Sequence, residues 1–168
     1  MTLIDIDKVR YRRHLNHVFI GSGVALAVLS LSLSQLLIFL FPDDSGSHFH
    51  WNALGVVIAA AIVGFCLSHY RHHTYLREVL YVWELKRALN KITRKMRKVE
   101  AAAQQGNEQA MQTLQFSYAG SRQLWQLDDN IIIMEELAIK QAELDALAER
   151  YKITLDAERY QEHFLTEF

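Results

Sequence analysis

An all-α fold is predicted: two transmembrane helices in a hairpin, followed by a small cytoplasmic helical domain with a long membrane-proximal helix. Three observations predict it. Residues 18–41 are an unbroken apolar run with no charge, and residues 53–67 are a second such run after a short polar turn. The remainder carries apolar residues at 3-4-3-4 spacing and contains no strand-rich stretch.

The first run reaches about 36 Å as a helix, against a hydrocarbon core of about 30 Å. The second, taken from Trp51 to Tyr70, spans about 30 Å and has an aromatic anchor at each end. A Lys or Asp inside either span would cost about 2.5–3.5 kcal/mol on insertion, and none is present. A buried core hairpin of a soluble protein is the competing reading. It fails because the remaining chain has too few apolar faces to cover two helices that are apolar all round. A cleaved signal peptide also fits poorly, since the run is too long and Ala25-Leu26-Ala27 lies early inside it.

Basic residues near the spans set the orientation. Lys8, Arg10, Arg12 and Arg13 precede the first span, the turn 42–50 has no Lys or Arg, and Arg71, Arg77, Lys86 and Arg87 follow the second. The positive-inside rule places both termini in the cytoplasm and the acidic turn outside. The expected organisation is a basic N-terminal segment 1–17, a hairpin 18–70 with spans of about 18–41 and 51–70, and a cytoplasmic domain 71–168. The single cysteine, Cys66, lies in the second span and supports neither a disulfide nor a thiolate metal site.

The formal net charge of −1 hides a split. Residues 71–100 carry nine Lys/Arg against Glu78, Glu84 and Glu100, whereas residues 101–168 carry five against twelve Asp/Glu. The basic half reads as one long helix continuing from the second span. Its apolar seam is Val82, Leu85, Leu89, Ile92, Met96, Val99 and Ala103. Lys86, Arg87, Lys91, Arg94, Lys95, Arg97 and Lys98 lie mostly off that seam. They are candidates to contact anionic lipid head groups of the bilayer or to pair with the acidic C-terminal helices. Nucleic acid is disfavoured, because no aromatic interleaving or reading motif accompanies them. A solvated face that serves only as a topology signal is the plain alternative.

Gly106-Asn107 stops this helix. A second is expected over 107–127 with a break near Gly120, and Ala103, Gly106, Ala110, Leu114, Tyr118 and Gly120 echo half of a Sel1-like or tetratricopeptide-type repeat, where small residues let two helices cross closely. The echo does not recur, so the expectation is a helix hairpin rather than a solenoid. A turn at 128–130, an extended stretch 131–133 and a third helix over 134–151 follow, the last presenting Leu137, Leu144, Leu147 and Tyr151. Thr154 or Asp156 is then expected to cap a short helix carrying Tyr160, Phe164 and Phe168.

Three stretches carry a family resemblance: Tyr11-Arg12-Arg13-His14-Leu15-Asn16, Leu80-Tyr81-Val82-Trp83-Glu84-Leu85-Lys86, and the run from Gly120 through Trp125 to Asn130. Through them the chain resembles a family of small uncharacterised two-span inner-membrane proteins of Gram-negative bacteria, a domain of unknown function. The resemblance implies a bacterial inner membrane and two spans. It implies no activity, substrate or catalytic residue.

Eight histidines are the remaining chemical lead. His69 and His73 share a face if the helix continues, a spacing that can chelate a transition metal. His72 is adjacent, and His14 and His17 fall at the same membrane level. His48 and His50, with Asp43 and Asp44, form an outer group suited to pH sensing. Without Cys ligands or a Glu-x-x-His pattern, the expectation is no metal and no cofactor. There is no phosphate-binding loop and no nucleophile elbow, and the adjacent Asp128 and Asp129 suit a turn, so an enzyme is disfavoured.

Small residues form stripes on the spans: Gly23, Ala27, Ser30 and Ser34 on the first, and Ala53, Val57, Ala60 and Gly64 on the second. They are expected to pack the spans together or to join neighbouring copies in a homo-oligomer, with Gln35 able to bond across such an interface. The expected function is a non-enzymatic, membrane-anchored scaffold whose cytoplasmic helical module binds a protein partner of unknown identity. A small oligomeric channel or transport accessory is the alternative, and a metal-binding membrane protein ranks third.

Overall fold

The computed structural model describes residues 2–42, 48–128 and 134–168, with no side-chain description for His72. Its α-helices are α1 (Lys8–Leu40), α2 (Phe49–His69), α3 (Arg77–Gln104), α4 (Glu108–Asp128) and α5 (Met134–Tyr151). Tighter 3-10 turns occupy Tyr70–His72, Ala157–Arg159 and Glu162–Thr166, and no strand occurs among the described residues. The chain divides into two compact units, Asp7–Leu80 and Met1–Ile6 with Tyr81–Phe168. The division falls inside α3.

In the first unit, α1 starts well before the apolar run. The Asp7 carboxylate accepts from the backbone N–H of Val9 and Arg10 at 2.8 and 3.1 Å, which satisfies donors that a helix start leaves unpaired. The basic segment is therefore helical and continuous with the apolar run. Helices α1 and α2 are both long and apolar enough to cross a membrane. Within their most apolar windows only 6% and 11% of residues are buried, so neither is a core helix of this chain.

Their mutual contact is narrow. Gly55 and Ala59 of α2 are buried, as is Ser34 of α1, whose hydroxyl donates to the Asn52 carbonyl at 3.4 Å. A Cβ placed on Gly55 would stand 2.3 Å from Ser34 Oγ and 2.8 Å from Ser34 N. The helices cross where glycine lets one backbone approach the other. Phe41 stacks on Trp51 across the hairpin end, with ring centroids 5.1 Å apart. Asp43 and Asp44, expected in the outer turn, lie outside the described residues.

The expected continuous helix from α2 into the basic run is not formed. Helix α2 ends at His69, a 3-10 turn covers Tyr70–His72, and α3 begins at Arg77. Neither Pro nor Gly marks the break. Local polar contacts replace the helical ladder, with His73 Nδ1 accepting from the Tyr75 backbone N–H at 3.2 Å. The bend lets Tyr75 reach His14 and His17 on α1.

In the second unit, the α3 seam is buried as its spacing predicts except at half-buried Met96, with Leu85, Ile92, Val99 and Ala103 fully enclosed. Gly106 adopts a φ of +86°, a conformation that favours glycine, and the Asn107 side chain caps α4 by accepting from Ala110 N at 2.9 Å. The Tyr151 ring packs against Gly106 where a Cβ would stand, and its hydroxyl donates to the Gln104 carbonyl at 2.9 Å. The expected break near Gly120 does not occur. Instead, Gly120 sits inside an unbroken α4 where its missing side chain admits Leu85 and Leu89 of α3.

Helix α5 buries Leu137, Leu144 and Ala148. Of the turn expected at 128–130, Asp128 is instead the last residue of α4, and the rest of it, with the extended stretch expected at 131–133, lies outside the described residues. The expected last α-helix is replaced by two 3-10 turns. Asp156 does cap the first, accepting from Glu158 N at 2.9 Å, but Tyr160 is extended (φ −62°, ψ 131°) and interrupts the ladder. Packing explains the extension, because the Tyr160 ring stacks on the fully buried Phe116 with centroids 4.3 Å apart. Buried Gln112 fixes the approach to these turns, donating to the Thr154 carbonyl and accepting from Asp156 N, each at 2.8 Å.

Burial pushes the phenols of Tyr118 and Tyr160 up to about 12, with nearby carboxylates adding to the effect. The Tyr160 hydroxyl is buried with no hydrogen-bond partner among the described residues. Tyr160→Phe is therefore expected to be neutral or stabilising by up to about 1 kcal/mol, whereas Tyr160→Ala should destabilise by about 3 kcal/mol or more. Denaturant unfolding of the full chain in mild detergent checks both. A clear loss of stability in Tyr160→Phe would contradict the reading.

Candidate functional site

The histidines divide into groups with different surroundings. In the first unit, Glu78 Oε1 lies 3.0 Å from Arg10 Nε, and its Oε2 lies 3.1 Å from His14 Nδ1. The Glu78 and His14 side chains are only 15% and 11% exposed, so this is an enclosed polar cluster rather than a solvated pair. The His14–Glu78 approach is close but poorly aligned, and neither atom gains a formal hydrogen bond from it. Tyr75 covers the cluster, its ring 3.9 Å from that of His14 and its hydroxyl 2.6 Å from His17 Nδ1. A carboxylate shared by a guanidinium and an imidazole offsets part of the cost of enclosing charge. Its direct effect is to fasten the start of α3 to α1.

His69 and His73 do not share a helix face, because α2 ends at His69. His69 stacks on Phe65 at 6.0 Å, while His73 serves its own turn through Tyr75 N. Among the described residues no group of three or more His, Cys, Asp or Glu is arranged to hold a metal ion. The sequence reading placed His14 and His17 together but missed Glu78 and Tyr75. The only signal for them is the short distance from the bend, which becomes legible once the helix is known to break.

The small-residue stripes do not pack α1 on α2. Gly23 and Gly64 face open space, Ala27 and Ala60 are exposed, and of the first stripe only Ser34 sits at the crossing. Ser30 donates to the Ala27 carbonyl at 3.0 Å, so its hydroxyl is spent on its own helix. Gln35 is exposed.

The basic run is shared between two environments. On α3, Lys91 pairs with Glu162, and Lys95 and Lys98 each donate at 2.6 Å to the carbonyls of Leu165 and Phe168. The Lys91 contact holds the Glu162 carboxyl below its usual range. Lys86 lies 3.3 Å from Asp128, with both side chains 46% exposed. Arg87, Arg94 and Arg97 are exposed, and the Arg87 guanidinium lies 5.6 Å from the ring centroid of Trp83. Two lysines thus meet carboxylates and two meet backbone oxygens of the C-terminal part, while the arginines face outward. The sequence reading missed Trp83 on this face.

A family model described as "Protein of unknown function (DUF3087)" matches residues 1–165. The chain belongs to that family. No curated protein and no solved structure matches it. In this DUF3087 chain a cavity of about 200 Å³ opens between α3, α4 and α5, with Glu100, Tyr118, Lys140 and Glu143 among its walls. A neighbouring one of about 160 Å³ shares Tyr118 and Lys140 and adds Trp125 and Glu136.

Proposed function

We propose that this DUF3087 protein is a non-enzymatic scaffold of the bacterial inner membrane, anchored by α1 and α2 with both termini cytoplasmic. One observation carries the reading. Helices α1 and α2 meet along a narrow seam and leave Phe19, Phe39, Phe49 and Phe65 at least 70% exposed. That much apolar surface on two adjacent helices needs a lipid solvent. The basic residues flanking the pair, against none in 48–50 between them, favour the cytoplasmic placement of Lys8 and Arg71. The second unit has its own core and polar surface, which suits a displayed interaction module.

Outward-facing Gly23, Ala27, Ala60 and Gly64 favour association of copies in the membrane, since small residues allow close helix approach there. Alkaline carbonate extraction of membranes carrying the full chain tests the anchor. Retention in the membrane fraction, with release only by detergent, is expected. Release by carbonate would mean that α1 and α2 are covered by protein rather than lipid.

A further inference from the structure

We infer that the exposed face of α3 built from Trp83, Lys86, Arg87, Asn90 and Arg94 docks onto the phosphate head groups of an anionic lipid surface. The inference rests on the membrane-anchored reading and identifies what the displayed unit touches first. Positions 83, 86, 87, 90, 91 and 94 follow the i, i+3, i+4, i+7 spacing that aligns one side of a helix. They line a shallow hollow of about 470 Å³ with no acidic residue in its wall. The opposite side of α3 is the buried seam, so this face has no part in the core.

Trp83 decides the chemistry. It is 57% exposed, although a ring of that size would stabilise the unit more by joining the seam. Indole rings favour the head-group level of a bilayer, where an apolar body and a polar N–H are both served. Arg87 lies over the ring, and among the described residues neither Arg87 nor Arg94 has a carboxylate at ion-pair distance. Guanidinium forks match phosphate oxygens in pairs. Lys86 and Lys91 contribute less, being engaged by Asp128 and Glu162. Trp83 follows the last residue of α2, His69, by fourteen residues. With α2 in the bilayer, the lipid surface is the polyanion this face meets at the highest effective concentration. A nucleic acid offers similar phosphates without that tether.

The test uses the full chain with Trp51→Phe and Trp125→Phe, which leave Trp83 as the only one of three tryptophans. The protein is reconstituted in phosphatidylcholine vesicles containing phosphatidylglycerol, with bromine quenchers on one lipid or the other. Trp83 emission should be quenched severalfold more by brominated phosphatidylglycerol than by brominated phosphatidylcholine at low salt. High salt should relieve the difference, and so should Arg87→Gln with Arg94→Gln, two exposed changes that leave the core intact. Carbonate extraction of the same vesicles reads the anchor separately. Protein retained after carbonate, with Trp83 unquenched or quenched equally by both lipids, overturns the inference and leaves the anchor standing. Protein stripped by carbonate yet quenched selectively by phosphatidylglycerol sustains the inference and removes the anchor. Quenching relieved by added oligothymidylate or by inorganic phosphate at matched ionic strength overturns lipid as the source of the phosphate.

Discussion

Gly55→Leu is expected to separate α1 from α2 and to lower the thermal stability of the solubilised hairpin by several degrees. A Cβ at this position meets Ser34 N at 2.8 Å as well as Ser34 Oγ at 2.3 Å. The hydroxyl could rotate away, but the backbone nitrogen cannot. Overpacking of a close contact costs about 1–3 kcal/mol, occasionally more, and each kcal/mol corresponds to roughly 2–4 °C for a chain of this size. Gly21→Leu serves as the control, since Gly21 faces open space and is not among the small residues proposed to join copies. Thermal unfolding in mild detergent reads both. Equal stability of Gly55→Leu and the parent would remove the Ser34–Gly55 crossing from the fold.

Phe116→Ala should be the most damaging single change in the second unit. Phe116 is fully enclosed and is among the largest side chains with no solvent exposure. Truncating such a phenylalanine costs about 3–5 kcal/mol through lost burial and the cavity left behind. The stack with Tyr160, at 4.3 Å and 18° between planes, adds about 0.5–1.5 kcal/mol beyond area. The Tyr160 ring anchors the C-terminal 3-10 turns on this phenylalanine, so they should loosen first. Denaturant unfolding of the full chain and protease cleavage after Arg159 report the two effects. Unchanged cleavage would show that the turns are held by Lys95 and Lys98 rather than by the aromatic stack.

The two long apolar helices, most of the α3 seam and the bounds of α5 were legible because each depends on a local repeat. An apolar run longer than the bilayer needs no partner to be recognised, and a 3-4 seam shows its buried side directly. The face on which α1 meets α2 was not legible. Both helices are apolar all round, so every face has the same pattern, and the stripe through Gly64 looked as suitable as Gly55. The break at 70–76 was hidden for a different reason. No residue there forbids a helix; the bend is held by Tyr75, His14 and His17, whose partners lie far apart in sequence.

The C-terminal turns misled through spacing. Tyr160, Phe164 and Phe168 repeat at four, as on an α-helix, yet Phe116 draws Tyr160 into an extended conformation. On the basic run the split between engaged lysines and outward arginines was out of reach. It depends on carbonyls at Leu165 and Phe168 and on Glu162, all about 70 residues away in the chain. Trp83 was visible in the sequence but was not set against Arg87, four residues on. That juxtaposition supplies the aromatic element that the basic face had been thought to lack.

Topology mapping tests the membrane-anchored account most directly. Alkaline phosphatase, active only outside the cytoplasm, and a fluorescent protein that matures only inside it would each be placed in the turn at residues 45–47 and after Phe168. Phosphatase activity from the turn with fluorescence from the C-terminal fusion is the expected pair. Phosphatase activity from the C-terminal fusion, or fluorescence from both positions, would contradict the two-span anchor with both termini cytoplasmic.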